Sequence, residues 1–147
     1  MTRMAPRDDG APLRPLPVRA AALLALLVAA PACRLPLGWL LAAVTTLRWF
    51  PAASDRFVAA VDGAVRAARP AWWSGRLACM EVSLATILVV AACGRRAHWV
   101  HGSRPLPNEA HAWVQTATGT TFGLEDDDPV RPWVIVRATP DLAAANR

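Results

Sequence analysis

An α+β domain, with helices first and a small antiparallel sheet after them, is the fold class this sequence predicts. Three observations predict it. Residues 20–47 are almost wholly apolar and 54–69 carry a helical stripe; 77–92 form a further block with a single charge; from Ala97 onward the pattern breaks into short β-like runs divided by turn residues. At 147 residues the chain has room for one small domain with a single core.

The elements follow in order. Residues 1–17 carry arginines and prolines and read as a disordered leader. Residues 18–50 read as an apolar helical lead-in, with 14 uncharged residues (20–33), Arg34, and 13 more (35–47). Each block is too short for a membrane span of about 20 residues, and Pro31, Arg34 and Pro36 interrupt their union. A pair of buried or interfacial helices is expected. The basic start and Ala30-Pro31-Ala32 also fit a secretory signal, but the proline inside the cleavage site argues against one.

A core domain is expected over 51–139 and a short tail over 140–147. Within the core, Ser54 is a candidate N-cap for a helix over 54–69, with Phe57, Val58, Val61, Ala64, Val65 and Ala68 on one face. Trp72–Gly75 reads as a loop. From Leu77 to Gly94 the only charge is Glu81, which predicts a helix buried nearly all round, with Gly94 as its C-terminal cap. Strands are expected at 97–102, 112–117, 120–124 and 133–138. Arg104–Glu109 and Thr118-Gly119 supply connections, and the acidic run 125–128 a loop.

Composition excludes several functions. The +5 charge comes entirely from scattered arginines, with no lysine, no tyrosine and no aromatic-interleaved basic stripe, so nucleic acid is not an expected partner. Three cysteines (33, 79 and 93) cannot all pair and have no CxxC spacing, which fits a reducing, cytoplasmic setting. His98 and His101 lie three apart in a strand and point to opposite faces, so Cys93, His98 and His101 do not make a zinc site; no metal or cofactor is expected.

Cys79 and His111 carry the chemistry. A cysteine at the mouth of a buried helix and a histidine opening a strand 32 positions later suggest a papain-like nucleophile and base. The helix dipole and an imidazolium both favour thiolate, and the Cys79 N–H, unpaired inside the helix, is placed to help hold an oxyanion. A third group must orient His111, and a strand returning beside it would bring Glu125 or Asp126. The plain alternatives are a buried structural thiol for Cys79 and a solvated loop for the acids. Cys33 and Cys93 read as structural thiols, Trp99 and Trp113 as core, and Ser83 and Thr86 as small packing residues on the Cys79 face.

At Cys-Met-Glu-Val-Ser-Leu-Ala (79–85), Arg95-Arg96, His98–Gly102 and His-Ala-Trp-Val-Gln (111–115) the sequence resembles the lasso-peptide biosynthesis leader proteases. In particular, these motifs look like the stand-alone actinobacterial protease half of the "B" maturation protein, which belongs to the transglutaminase-like superfamily. The resemblance runs over about 54–138, and the apolar lead-in looks like that family's helical start. It implies a transglutaminase-like, papain-like core and a cysteine peptidase that removes the leader from a ribosomally made precursor. Implied partners are the precursor peptide, a small leader-recognition protein and an ATP-dependent cyclase. Cys79 would be nucleophile and His111 base. Two positions depart from the pattern: Gly123-Leu124-Glu125 puts the acid one residue late, leaving Glu125 first and Asp126 next, and Val82 stands where many relatives have arginine. Two other readings stay open, a non-catalytic peptide-binding module of the same fold and a membrane-anchored or exported small protein. The short apolar blocks make a membrane an unexpected partner.

Overall fold

The computed structural model describes residues 16–70, 78–105, 108–124 and 130–140. The expected leader, the Trp72–Gly75 loop and the acidic run, with Glu125 and Asp126, lie largely or wholly outside the described residues. Among the described residues four helices precede the sheet: α1 (Leu16–Ala32), α2 (Leu37–Thr45), α3 (Asp55–Ala67) and α4 (Cys79–Ala92), with a 3-10 turn over Thr46–Trp49. Four strands follow, β1 (His98–Arg104), β2 (Glu109–Gln115), β3 (Thr121–Phe122) and β4 (Val134–Thr139). The chain adopts the α+β architecture that this order predicts.

The centre of the molecule is α4. Val82, Leu84, Ala85, Ile87, Val89 and Val90 are buried along it, and a run of β-branched residues stays helical because burial on all sides outweighs its weak propensity. On one side α4 packs against α1 and α3; on the other it packs against β2 and β1. Gly94 ends it at φ +69, a left-handed conformation that closes the helix through Gly94 N–H to Ala91 O at 2.8 Å and Arg95 N–H to Val90 O at 3.1 Å. Cys93 is the exposed C-cap residue rather than a buried thiol, because the helix stops one residue before it.

Ser54 caps α3, accepting from the Phe57 N–H at 3.3 Å. The next residue, Asp55, accepts from the hydroxyls of Thr118 (2.6 Å) and Thr120 (2.8 Å), which pins the β2–β3 turn to the start of α3. Gly119 makes that turn at φ +90. Of the expected stripe of α3, Val58, Val61, Ala64 and Val65 are buried and Phe57 and Ala68 half-buried, and Asp62 joins the buried set.

The sheet order is β3-β2-β1-β4, antiparallel throughout, so β4 crosses back to pair with the far edge of β1. β1 runs to Arg104 and β2 begins at Glu109, so the two end residues of the expected connection form the last rung of the ladder, Arg104 opposite Glu109. Alternation along β2 places Ala112 and Val114 on one face, and His111 and Trp113 on the other. Trp99 and Trp113 are both buried, as expected.

Candidate functional site

Where α4 meets β2, the structure brings Cys79 and His111 together. Cys79 is the first helical residue of α4, and the Ala78 N–H ahead of it is held by the Glu81 carboxylate at 3.3 Å. β2 continues past the end of β3, and in that stretch the Ala112 N–H reaches the Cys79 sulfur. The thiol is held below its ordinary value first by a hydrogen bond with His111, then by the Ala112 N–H, the His111 charge and the Met80 N–H, all acting against burial. A strand that presents a ring and an adjacent backbone N–H to one sulfur is a geometry made for thiolate.

His111 has its Nε2 2.6 Å from the carbonyl oxygen of Gly123. A carbonyl only accepts, so Nε2 carries the proton and Nδ1 is left as the nitrogen able to take one from sulfur. The Gly123 carbonyl is thus a positioning group, and φ +91 at that residue turns it toward the ring. Glu125 and Asp126, the carboxylates expected to orient His111, lie outside the described residues.

An open cleft of about 670 Å³ surrounds the pair. Val82, Phe122 and Leu124 give it apolar lining, and Arg104, Glu109 and Trp133 line it as well. Trp133 packs on the His111 ring with centroids 5.4 Å apart and lies 6.3 Å from Trp113. The guanidinium of Arg104, paired with Glu109, stacks over Trp133 at 4.6 Å from its centroid. Arg66 and Asp62, which also line the cleft, pair at 2.8 Å, and Asp62 accepts from Thr86 at 3.4 Å. Ser83 accepts from the Trp99 indole N–H at 2.9 Å and donates to the Met80 carbonyl at 3.2 Å. Ser83 and Thr86 therefore tie α4 to its neighbours beyond simply filling space.

Cys93 is exposed at the end of α4, whereas Cys33 lies within electrostatic reach of Cys79. Burial first, and then Glu81 and Cys79, push the Cys33 thiol up to about 11. His98 donates from Nδ1 to the Pro140 carbonyl at 2.6 Å, while His101 packs edge-on to Trp99 at 4.4 Å. Among the described residues no cluster of three metal-ligating side chains occurs.

Six residues escaped sequence reasoning: Gly123, Trp133, and the Asp62–Arg66 and Arg104–Glu109 pairs. Asp62 left a signal, an acid on a buried helical face four residues before an arginine.

A thiol and an imidazole, joined at the junction of a buried helix and an antiparallel sheet and opening into a cleft, define the site class of an α+β thiol–histidine domain. The family model of the transglutaminase-like superfamily matches residues 20–134, and the chain belongs to that superfamily, which includes cysteine peptidases. No curated protein and no solved structure matches it.

Proposed function

We propose that this protein is a cysteine peptidase that removes the leader from a lasso-peptide precursor, working in the cytoplasm with a leader-recognition protein and ahead of an ATP-dependent cyclase. The observation that carries the peptidase reading is the Cys79–His111 hydrogen bond at the first turn of α4, inside a cleft. The substrate class rests on the resemblance of residues 79–85, 98–102 and 111–115 to the leader proteases.

The reaction follows from the tautomer. Neutral His111, protonated on Nε2 against Gly123, takes the Cys79 proton on Nδ1. The thiolate attacks the scissile carbonyl, and the Cys79 N–H, without a partner inside the helix, faces the developing oxyanion. The Nδ1 proton then passes to the leaving amine, the core peptide departs, and the leader remains as a thioester on Cys79. Water, deprotonated by Nδ1, cleaves the thioester; the leader leaves as a carboxylate and the sulfur takes back a proton. Glu125 or Asp126 would add negative charge to stabilise the imidazolium.

The test is cleavage of a synthetic precursor by the purified full chain together with its recognition protein. Cys79→Ala abolishes cleavage and His111→Ala lowers its rate by about 10²–10⁴. Undiminished cleavage by Cys79→Ala excludes this nucleophile. Cleavage of unrelated peptides as fast as precursor would keep the peptidase and discard the lasso assignment.

A further inference from the structure

A surface helix of a water-soluble domain buries one stripe and turns polar residues outward. The first helix here does not. Ala22, Ala25, Leu26 and Ala29 face the core, while the opposite stripe holds Ala20, Ala21, Leu24, Leu27, Val28 and Pro31, with Leu24 62% and Val28 56% exposed. Further along the chain Leu35, Trp39 of α2 (72% exposed) and Trp49 (79% exposed) also turn apolar surface outward.

Charge is as one-sided as hydropathy. Between residues 16 and 54 there is no acidic side chain, and the only charges are Arg19, Arg34 and Arg48. Arg19 and Arg34 bracket the apolar stretch of α1, and Arg48 lies over the Trp49 ring at 4.9 Å.

We propose that the outer face of α1, with the turn and α2 that follow, lies on an anionic lipid surface. Three features select lipid over a protein partner. From Ala20 to Ala32 no side chain can donate or accept a hydrogen bond, whereas protein interfaces carry about one per 100–200 Å². Hydrocarbon asks for none. Arginines at the ends of an apolar helix meet lipid phosphates while their stems stay in the apolar layer. Tryptophans with one wet and one dry edge favour the headgroup level. No described helix is long and apolar enough to cross a membrane, so the mode is attachment in the plane of the interface. The expectation that a membrane is no partner rested on span length; lying on a surface needs only a face.

The full-length protein is mixed with sucrose-loaded vesicles of phosphatidylglycerol and phosphatidylcholine in equal parts, and separately with pure phosphatidylcholine, then sedimented. It pellets with the anionic vesicles, releases as salt is raised, and binds the neutral ones weakly. Arg34→Gln and Arg48→Gln, both at exposed positions, each weaken partitioning about fivefold. Leu24→Ser with Trp39→Ser weakens it further at unchanged circular dichroism. Protein left in the supernatant with anionic vesicles, or equal binding to both compositions, overturns the proposal. So does self-association without vesicles that the Leu24→Ser, Trp39→Ser variant dissolves, since the face would then belong to a second copy. Binding of that face to the recognition protein with no vesicle partitioning overturns it as well.

Discussion

Gly102 is the position where one added methyl group has the most determinate consequence. A Cβ there would lie 2.5 Å and 2.6 Å from two ring carbons of Trp113 and 3.1 Å from the Val134 carbonyl oxygen. Carbon atoms rest at about 3.5–4.0 Å, so the overlap with the ring is roughly 1 Å. Neither neighbour yields cheaply: Trp113 is 2% exposed and rigid, and Val134 O belongs to the β4 backbone paired with β1. Overpacking costs about 1–3 kcal/mol, and with an aromatic ring on one side and a ladder on the other Gly102→Ala belongs at the top, about 3 kcal/mol. That is a large share of a total stability of about 5–15 kcal/mol. At about 2–4 °C per kcal/mol the midpoint falls by about 6–12 °C, read by circular dichroism on heating and by urea titration. Activity should suffer beyond stability, because Trp113 lies 6.3 Å from both His111 and Trp133, centroid to centroid. A loss under about 0.5 kcal/mol, the range of an inconsequential surface change, would refute the packing argument.

Other outcomes follow from the same geometry. Iodoacetamide at neutral pH should label Cys79 well before Cys33, whose thiol is pushed up to about 11, and His111→Ala should slow Cys79 to the rate of an ordinary thiol; equal labelling of both wild-type sites would contradict the site. Trp133→Ala should lower precursor cleavage by about tenfold to 10²-fold through a looser His111 ring, with little change in melting. Arg104→Met removes a buried cation but leaves Glu109 partly in water, so about 1–2 kcal/mol of stability is lost and not the full penalty of a buried orphan charge, as chemical denaturation would show. His101 is held below its ordinary range by burial and then by Arg137. The unfolded chain therefore takes up a proton near pH 6.5 that the folded chain refuses; stability is full above that pH and falls below it. His101→Asn should flatten part of this acid slope in melts run across pH.

Much of this was legible in the sequence because it is local. The Ser54 cap, the Gly94 stop and the single charge on α4 are each decided within a few residues, and the Cys79–His111 pairing follows once a helix start and a strand start are placed. What stayed hidden is non-local. Arg104 and Glu109 read as a connection because prolines stand between them, yet the ladder brings them face to face. Trp133 reads as the start of a strand; only the return of β4 beside β1 sets its ring over His111. The two-residue length of β3 was equally invisible, and it matters more, since the β2 segment beyond it is where the Ala112 N–H meets the sulfur.

Gly123 shows how sequence departure and geometry fit together. Its φ of +91 is open to glycine and costly for residues with a Cβ, and a Cβ there would meet the Arg66 guanidinium at 3.0 Å. That conformation turns the carbonyl onto Nε2 of His111. A backbone oxygen fixes tautomer and ring angle as firmly as a side chain does, and it cannot rotate away. It carries only a partial charge, so it stabilises imidazolium less than a carboxylate would; the α4 terminus and the Ala112 and Met80 amides act on the thiolate half of the pair. Backbone conformation at Gly123 thus orients His111, while the helix and strand amides at Cys79 stabilise the thiolate.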